Sequence, residues 1–567
     1  MSYIVKQVGR NRQINVYIAE NRYDREKRQS RQKRTYLGVF DEKRGELLLG
    51  KNTPEPDKEL LSLLASKNIK YLGHKADLPG RKPVAGSKRR FRLSSAVGDV
   101  AKLFKIMEVG RIKALWTLAE DSGLVKALSE AFGVSAGRRL LGLAAHQVCE
   151  GDALYLACPW LEETGEFEGE GISVSSLNRL LTSVGSDENA RDAFFAKWIE
   201  LSGCPRVLIH DTTSISSYAC GLDSVEWGYN RDNENLPQIN LAFVISREKG
   251  LPLWYRTVPG SIPDVSSLEL TKKMLERYGL TKADYSLDRG YFSNDNLIDL
   301  LESKSDFTIG VPFTNTQARD LASRNLSALM SVRRSFLYSG ERLRYVRCEY
   351  KVSGINGEQA TLPAHLYFNP ERKEKTLKNL ETTILGLECK AACKSFRNGQ
   401  SAWKWIKENA GGLAKFLTVT NKNGQWRVVR KSNALTKAAR HFGLTLILTT
   451  KTKRNREDVL TDYRCRDAVE KLFDVYKNIT GNKRLRCASE SSAEGRVFLA
   501  FLSVILYALL NSRLRSSDIG KSCSVREVLS MLRKVKKLRF PDGETLFMEV
   551  PKKVRNVIRS LGLIEMF

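Results

Sequence analysis

The segment after Pro205 constrains the fold most, because it alternates between apolar runs of strand length and segments with helical spacing. Three strand-like runs come first: VLIHDTTSI, QINLAFVIS and LPLWYRTVPG. A helical pattern over 265–278, a strand at ADYSLD, a helix near 294–304 and a strand at DFTIGVP follow. Three strands followed by alternating helices and strands predict a mixed α/β core built around one sheet.

The rest of the chain predicts further domains around this core. The first fifty residues alternate like strands, and the Pro-, Gly- and Lys/Arg-rich HKADLPGRKPVAGSKRRFR is typical of a flexible basic linker. Helical spacing then dominates, and SVSSLNRLL has the Ser-led start of a capped helix. A strand-rich segment containing Trp403, Trp405 and Trp426 interrupts the core before GLTLILTT resumes it. The predicted domains are a small β-rich module (1–73), a basic linker (74–92), a helical domain (93–204), the first part of the core (205–313), a β-rich insertion (314–442), the second part of the core (443–515) and a C-terminal helical region (516–567).

The net charge narrows the class of partner. The chain has 93 Lys and Arg against 64 Asp and Glu, a formal charge of +29, and such an excess favours a polyanion, with nucleic acid the best fit. A membrane is the alternative polyanion, but no segment reaches the roughly 18 uncharged apolar residues of a spanning helix. The longest apolar run, 497–510, predicts a buried core helix. The opening MSYIVKQVGRNRQ has no apolar stretch of the kind that a signal peptide carries, so a cytoplasmic protein is expected.

The cysteines give no evidence for a zinc site. There are ten, and the closest pair is Cys389 and Cys393. Because this pair has no second pair to complete a ligand set, we expect free thiols and no zinc.

Two aspartates follow predicted strands of the core. Asp211 comes after the apolar run VLIH, and Asp288 comes after YSL. An aspartate in this position places a charge at the edge of a buried sheet, which is costly without a counter-ion. Phosphodiester chemistry uses two divalent ions, and carboxylates are their natural ligands, so both aspartates are candidate metal ligands. On position alone, turn chemistry at Asp288-Arg289-Gly290 explains Asp288 as well.

A third carboxylate is expected on a long helix predicted over about 458–478. At roughly 100° per residue, four polar side chains of this helix share an arc of roughly 60°: Tyr463, Arg466, Glu470 and Lys477. A solvated helix face would also produce such a stripe. Asp467 and Asp474 lie near the stripe, and each is an alternative third carboxylate.

Together, these residues carry a resemblance to a known family. Tyr463, Arg466, Glu470 and Lys477 reproduce the Y-x2-R-x3-E-x6-K signature of a large superfamily of bacterial insertion-sequence DDE transposases. The strand-borne DTT at 211–213, the segment LDRGYFS and the long insertion before the helix are similar to the same superfamily. The resemblance covers about 207–510. The chain departs from the family at Asp467 and Ala468, where a Trp and a further polar residue are more common.

The resemblance implies a ribonuclease H-like core and a specific chemistry. Asp211, Asp288 and Glu470 would be the catalytic residues and would hold two Mg²⁺ ions, for which Mn²⁺ substitutes. Water would first cut the ends of the insertion sequence, and the freed 3′-OH would then attack target DNA. Four residues would contact phosphates of the double-stranded DNA: Tyr463, Arg466, Lys477 and Arg289. A dimer on DNA is the expected assembly.

Several alternatives stay open from the sequence. A basic stretch at 22–34, the basic cluster 88–92 and the helical domain up to Leu201 are candidates for recognition of the DNA ends. Trp403 and Trp405 could stack on a flipped base, although core packing also explains them. The rival functions are a ribonuclease H-like endonuclease without strand transfer and a catalytically inactive or domesticated DNA-binding derivative. The Y-R-E-K helix and the long insertion argue against the endonuclease, and the presence of all three acids favours the active enzyme over the derivative.

Overall fold

The computed structural model describes residues 2–8, 13–24, 29–42, 44–50, 53–74, 104–167, 172–219 and 221–563. It divides into two compact units, Met1–Gly98 and Asp99–Phe567. The basic cluster 88–92 and the linker beyond His74 lie outside the described residues, as do the side chains of 21–32 in the basic stretch.

In its described residues, the first unit is a five-stranded sheet with one helix. Its strands run in the order β1-β2-β3-β4-β5, antiparallel except for the parallel pair β4 and β5. The elements are β1 (Ser2–Val8), β2 (Ile14–Asp24), β3 (Gln29–Asp41), β4 (Glu46–Leu49), α1 (Lys58–Ser66) and β5 (Lys70–His74). Asp57 caps α1 by accepting a hydrogen bond from the Leu60 amide. Val16, Leu47 and Leu64 lie in its apolar core.

The described part of the second unit begins with one strand and six α-helices. They are β6 (Lys105–Glu108), α2 (Gly110–Asp121), α3 (Leu124–Phe132), α4 (Val134–Cys149), α5 (Ala157–Thr164), α6 (Val174–Ser186) and α7 (Glu188–Leu201). Ser173 caps α6 in a reciprocal pair with Ser176, in line with the predicted Ser-led start.

A large mixed sheet forms the centre of this unit, and the mixed α/β character that the sequence predicts is confirmed. The expected series of elements is present: β7 (Val207–Ser217), β8 (Gln238–Ser246), β9 (Pro252–Pro259), α8 (Leu268–Arg277), β10 (Asp284–Leu287), α9 (Asn294–Glu302) and β11 (Phe307–Val311). The strand order is β9-β8-β7-β10-β11; β7, β8 and β9 are antiparallel, whereas β10 is parallel to both β7 and β11. Since β8 is buried along its whole length, both faces of the sheet are covered.

The segment 314–442 differs from the expected β-rich insertion. Its first strands do not form a separate domain but extend the central sheet in the order β12-β13-β14-β17-β11, where β17 is Leu444–Thr449. The elements are α10 (Thr316–Arg324), α11 (Leu326–Met330), β12 (Ser335–Tyr338), β13 (Glu341–Ser353) and β14 (Gln359–Phe368). The pairing of β14 with β17, which local sequence patterns do not encode, joins this segment to the sheet.

The remainder of the segment is a small subdomain with its own apolar core, here called the hairpin subdomain (370–440). It consists of α12 (Pro370–Ala392), α13 (Gly399–Ala410), β15 (Leu417–Lys422), β16 (Gln425–Arg430) and α14 (Ser432–Ala439). Trp405 is 7% exposed and packs in this core, whereas Trp403 is 39% exposed and lies 5.6 Å from the Lys431 ammonium.

The predicted long helix over 458–478 is two helices and a π turn. After β17 (Leu444–Thr449) come α15 (Arg456–Arg464), a break at Cys465 and Arg466, and α16 (Asp467–Asp474). The turn Val475–Ile479 then widens the helix, with the Thr480 amide bonding to the Val475 carbonyl. The angular positions expected from one continuous helix therefore do not carry across 463–477.

A central helix and a small C-terminal layer complete the unit. The elements are β18 (Arg484–Leu485), α17 (Glu490–Arg515), α18 (Val525–Leu532), β19 (Lys536–Arg539), β20 (Thr545–Phe547) and α19 (Lys552–Ser560). In the C-terminal region, predicted as helical, β19 and β20 form a sheet with β6. Within the described ranges, α17 is the one helix long and apolar enough to cross a membrane, and 72% of its most apolar window is buried in the protein. Phe498 and Phe501 of α17 pack against rings from α7, β8 and β9, as a core helix requires.

Candidate active site at the end of the β7–β10 ladder

Strand pairing places Asp211 and Asp288 side by side. β7 and β10 are parallel, and His210 pairs with Leu287 at the last position of their ladder. Asp211, within β7, and Asp288, just after β10, are the next residues along the chain, so both carboxylates lie on the same face of the sheet where this ladder ends. A register shift of one residue would turn one of the two side chains to the opposite face.

The surroundings of Asp211 disfavour its ionisation. Burial, and after it the nearby charge of Asp288, raises the pKa of Asp211 to about 7. The Thr212 amide, which donates to Asp211 Oδ1 at 2.8 Å, and the guanidinium groups of Arg466 and Arg231 act in the opposite direction. A buried acid beside a second carboxylate is an arrangement that a cation stabilises.

Arg466 supplies positive charge to this pair. Its Nη1 hydrogen-bonds to Asp288 Oδ1 and lies 3.0 Å from the hydroxyl oxygen of Tyr463. The Tyr463 hydroxyl also donates to Asp288 Oδ1, at 3.4 Å. Two residues of the expected stripe, Tyr463 and Arg466, are thus brought to one of the two aspartates.

Gly310 makes room for the phenol ring of Tyr463. A Cβ atom at this position of β11 would lie 2.4 Å from the Tyr463 hydroxyl oxygen. The absence of a side chain therefore lets Tyr463 approach the strand end closely. Neither composition nor periodicity indicates this role for the glycine.

The buried Tyr291 contacts the two residues of β7 on either side of Asp211. Tyr291 is 0% exposed, its hydroxyl shares a hydrogen bond with Thr212, and its ring centroid lies 4.6 Å from that of His210. Burial lowers the pKa of His210 to about 3, so the imidazole is neutral. Tyr291 lies within the segment LDRGYFS, but no sequence pattern indicates its role.

An ion pair between Arg231 and Asp264 lies beside the two acids, and the sequence did not indicate it. Arg231 donates to both carboxylate oxygens of Asp264, and its charge reaches Asp211. Asp264 approaches the backbone at Gly290, where a Cβ atom would lie 2.9 Å from its Oδ2. Both residues come from loops flanking β8 and β9, and no local sequence pattern links them to the strand ends.

Glu470 lies apart from the two aspartates. It is exposed on α16 and lines an open cleft of about 610 Å³ together with Tyr463, Arg466 and Asp467. In the part of the chain that the structure describes, no three His, Cys, Asp or Glu side chains are close enough to hold a metal ion together. The alternative acid Asp474 is exposed and accepts a hydrogen bond from Asn478 at 2.7 Å.

The remaining predicted contacts occupy different surroundings. Lys477 is 8% exposed within the π turn and donates to Asp232 Oδ2 at 2.6 Å. Arg289 is exposed after Asp288 and lies near Tyr463, whose pKa is raised by burial and lowered in part by the Arg289 charge. The structure thus brings Asp211, Asp288, Tyr463 and Arg466 together and leaves Arg289 beside them.

The side-chain oxygens of two residues, Asp211 and Asp288, are of the type that binds a hard divalent cation. Asp211 and Asp288 present neighbouring carboxylate oxygens, the ligands that Mg²⁺ prefers. Arg466 supplies the positive charge at Asp288 here, which is the charge that such an ion would bring. Glu470 is a third carboxylate on the adjoining cleft wall.

Comparisons with known proteins place this site in a family. Residues 202–506, more than half of the chain, match the family described as transposase DDE domain. A cryo-EM structure of piggyBac transposase in a synaptic complex with hairpin DNA is similar at a TM-score of 0.32 and 9% identity, covering 69% of this chain and 68% of that one. A TM-score of this size is too low to carry an argument. The search of curated proteins gave no match. The matched range contains all of the site residues discussed above, and the chain belongs to the transposase DDE domain family.

Proposed function

We propose that the chain is a DNA transposase that binds the ends of an insertion sequence, cleaves them and joins the 3′-OH ends to target DNA. The observation that carries the proposal is the position of Asp211 and Asp288, each directly after the last pair of the parallel β7–β10 ladder, with Arg466 and Tyr463 bound to Asp288. The family match supports the same chemistry.

The sheet supports a ribonuclease H-like core. Three antiparallel strands, β9, β8 and β7, continue into the parallel strands β10 and β11, which is the arrangement expected of such a core. The spacing of Tyr463, Arg466, Glu470 and Lys477 supports the bacterial superfamily with the Y-R-E-K signature.

Asp211, Asp288 and Glu470 would hold two Mg²⁺ ions. When bound, such ions activate the attacking oxygen and stabilise the leaving oxygen. Because Glu470 lies apart from the aspartates, completing the set requires the start of α16 to move toward the strand ends. The break at Cys465 and Arg466 provides a place where the chain can bend.

Arg466, Tyr463 and Arg289 would hold DNA phosphates beside the carboxylates. The planar guanidinium of Arg466 suits a phosphate as well as it suits Asp288. Exchange of one partner for the other would position the scissile strand without reading its sequence. Lys477, buried against Asp232, would join them only after leaving that partner.

Double-stranded DNA is the proposed substrate, and two chains would act together, one on each end. A ribonuclease H-like endonuclease without strand transfer is the nearest rival, and an inactive DNA-binding derivative is the other. All three carboxylates are present in this chain, which favours the active enzyme over the derivative.

The test is metal-dependent cleavage of a labelled duplex that spans the boundary between the element and its flanking DNA. We expect nicking at the boundary with Mg²⁺ or Mn²⁺ and none with EDTA. Glu470→Gln should abolish cleavage and keep duplex binding, because one metal ligand is lost and no phosphate contact is removed. Product joined to a second duplex separates a transposase from a simple endonuclease.

Asp467→Asn is the matched control, since Asp467 lies on the same helix and lines the same cleft. It should cleave like the wild type. If Asp467→Asn is inactive and Glu470→Gln is active, Asp467 is the third ligand. Binding without cleavage by the wild type under any divalent ion would leave the inactive derivative as the function.

A further inference from the structure

A stretch of the chain without a single acid surrounds the hairpin β15–β16. From residue 409 to residue 456 there are eleven Lys and Arg and no Asp or Glu. Across the hairpin subdomain as a whole, 370–440, there are 16 Lys and Arg against five Asp and Glu. A surface that serves only solubility mixes charges of both signs, so this part of the chain has a positive charge that its own sequence does not neutralise.

The base of the hairpin packs against two helices of the subdomain. Its inner side chains Leu417 and Val428 pack in the subdomain core with Ile384 of α12 and Ile406 of α13. Arg430, at the end of β16, forms an ion pair with Glu388 of α12 at 2.6 Å. The base of the hairpin is therefore fixed to two helices.

A two-residue turn connects β15 and β16 at the tip of the hairpin. Lys422 pairs with Gln425, so only Asn423 and Gly424 form the loop. Both have positive φ, 53° and 78°, as a two-residue turn that matches the twist of the strands requires. Asn-Gly is the sequence most favoured for this turn, so the local sequence itself specifies the tip.

The two faces of the hairpin differ in chemistry. Val419 and Val428 pair across the strands on the inner face. Side chains alternate between the two faces along a strand. The cross-strand pairs Thr420–Arg427 and Lys422–Gln425 therefore lie on the opposite, outer face of the hairpin. This outer face presents four exposed side chains: Thr420, Lys422, Gln425 and Arg427.

The cations of the outer face have no acidic partner within the described residues. Arg427 donates to the side-chain oxygen of Gln425 at 2.9 Å, and no carboxylate lies within ion-pairing distance of it or of Lys422. Arg430, by contrast, is held by Glu388. The positive charge at the tip is thus available to an external anion.

We propose that hairpin β15–β16 is a DNA-reading ribbon whose outer face enters the major groove of duplex DNA. The proposal rests on the proposed function, and it assigns to this hairpin a share of DNA recognition separate from the carboxylate site. The major groove admits a two-stranded ribbon. Arginine pairs with guanine and glutamine with adenine at base edges, while lysine also holds phosphates. The outer face contains these three side chains within two cross-strand pairs.

Equilibrium binding of the full chain to labelled DNA tests the ribbon. The probes are a duplex from the element end, a shuffled duplex of the same composition and a single strand of the same sequence, measured by fluorescence anisotropy at several salt concentrations. Lys422→Ala combined with Arg427→Ala should weaken binding to the end duplex by about tenfold or more. Gln425→Ala, which removes no charge, should reduce the preference for the end duplex over the shuffled one.

The control removes the same charge from the same subdomain outside the hairpin. Lys390→Ala combined with Lys404→Ala changes two exposed lysines of α12 and α13 and should leave the end preference unchanged. All five positions are exposed, so the thermal midpoints of the variants should match the wild type. Gln425→Ala remains a test if the double variant is unstable.

The outcomes separate the ribbon from the proposed function. If the hairpin and control variants bind the duplex equally and cleavage is intact, the DNA-reading ribbon is wrong and the proposed transposase function is unaffected. A loss confined to the single strand overturns the ribbon as a groove reader. A wild-type chain that binds no duplex overturns both.

Discussion

The carboxyl group of Asp211 is held close to a second acid and away from water. Both effects favour its protonated form, and together they raise its pKa from 3.8 to about 7. The folded chain therefore binds this proton more tightly than the unfolded chain does. Stability from the proton is fully present below pH 3.8 and is lost as the pH rises toward 7.

Asp211→Asn should remove this pH dependence, because asparagine does not ionise. In buffer with EDTA at pH 8, the variant should exceed the wild type in free energy of unfolding by at most roughly 4 kcal/mol. Below about pH 4 the difference should vanish. Urea unfolding at both pH values measures this difference in free energy of unfolding. The control is Asp518→Asn at an exposed position, which should match the wild type at both pH values. An equal effect of Asp211→Asn at both pH values would contradict the raised pKa.

At the scale of elements, the contact between α6 and α17 depends on two glycines. A Cβ atom at Gly185 would lie 1.7 Å from the Ser491 carbonyl oxygen, and one at Gly495 would lie 1.9 Å from the Leu181 carbonyl oxygen. The two backbones thus touch where the helical region meets the central helix. Such an approach allows no larger residue without separation of the helices.

Gly495→Ala should therefore destabilise the protein by about 1–3 kcal/mol or more, since backbone atoms must move apart. The matched control is Gly386→Ala in α12, where nothing lies within 4 Å of an added Cβ atom. This control should stabilise the protein by roughly 0.5–1 kcal/mol through helix propensity. Unfolding midpoints in urea measure both changes. If both substitutions shift the midpoint in the same direction, the close contact of α6 and α17 is wrong.

The elements also show how far the sequence predicts this structure. β7 to β11 and the helices between them follow from periodicity, but the parallel pairing of β7 with β10, which brings Asp211 beside Asp288, does not. The break between α15 and α16 does not, because Cys465 and Arg466 keep helical backbone angles and no Gly or Pro marks the site. Tertiary contacts lie at the break: the Cys465 thiol bonds to the Ser286 hydroxyl at 3.8 Å, and Arg466 bonds to Asp288. The placement of Glu470 depends on these contacts, so its role as third ligand stays a prediction.

At the scale of the whole molecule, charge is shared between two units that have separate apolar cores. Residues 1–98 contain 23 Lys and Arg against ten Asp and Glu, a formal charge of +13 out of +29. Deleting them should leave the thermal midpoint of the remaining chain unchanged, because the large core loses no residue. It should weaken duplex binding and flatten the plot of log affinity against log salt, since each phosphate contact contributes a slope of about 0.9. Anisotropy titrations of the full chain and of residues 99–567 measure this difference. An unchanged slope would mean that the first unit contacts no phosphates, leaving end recognition to the helices before the core and to the hairpin.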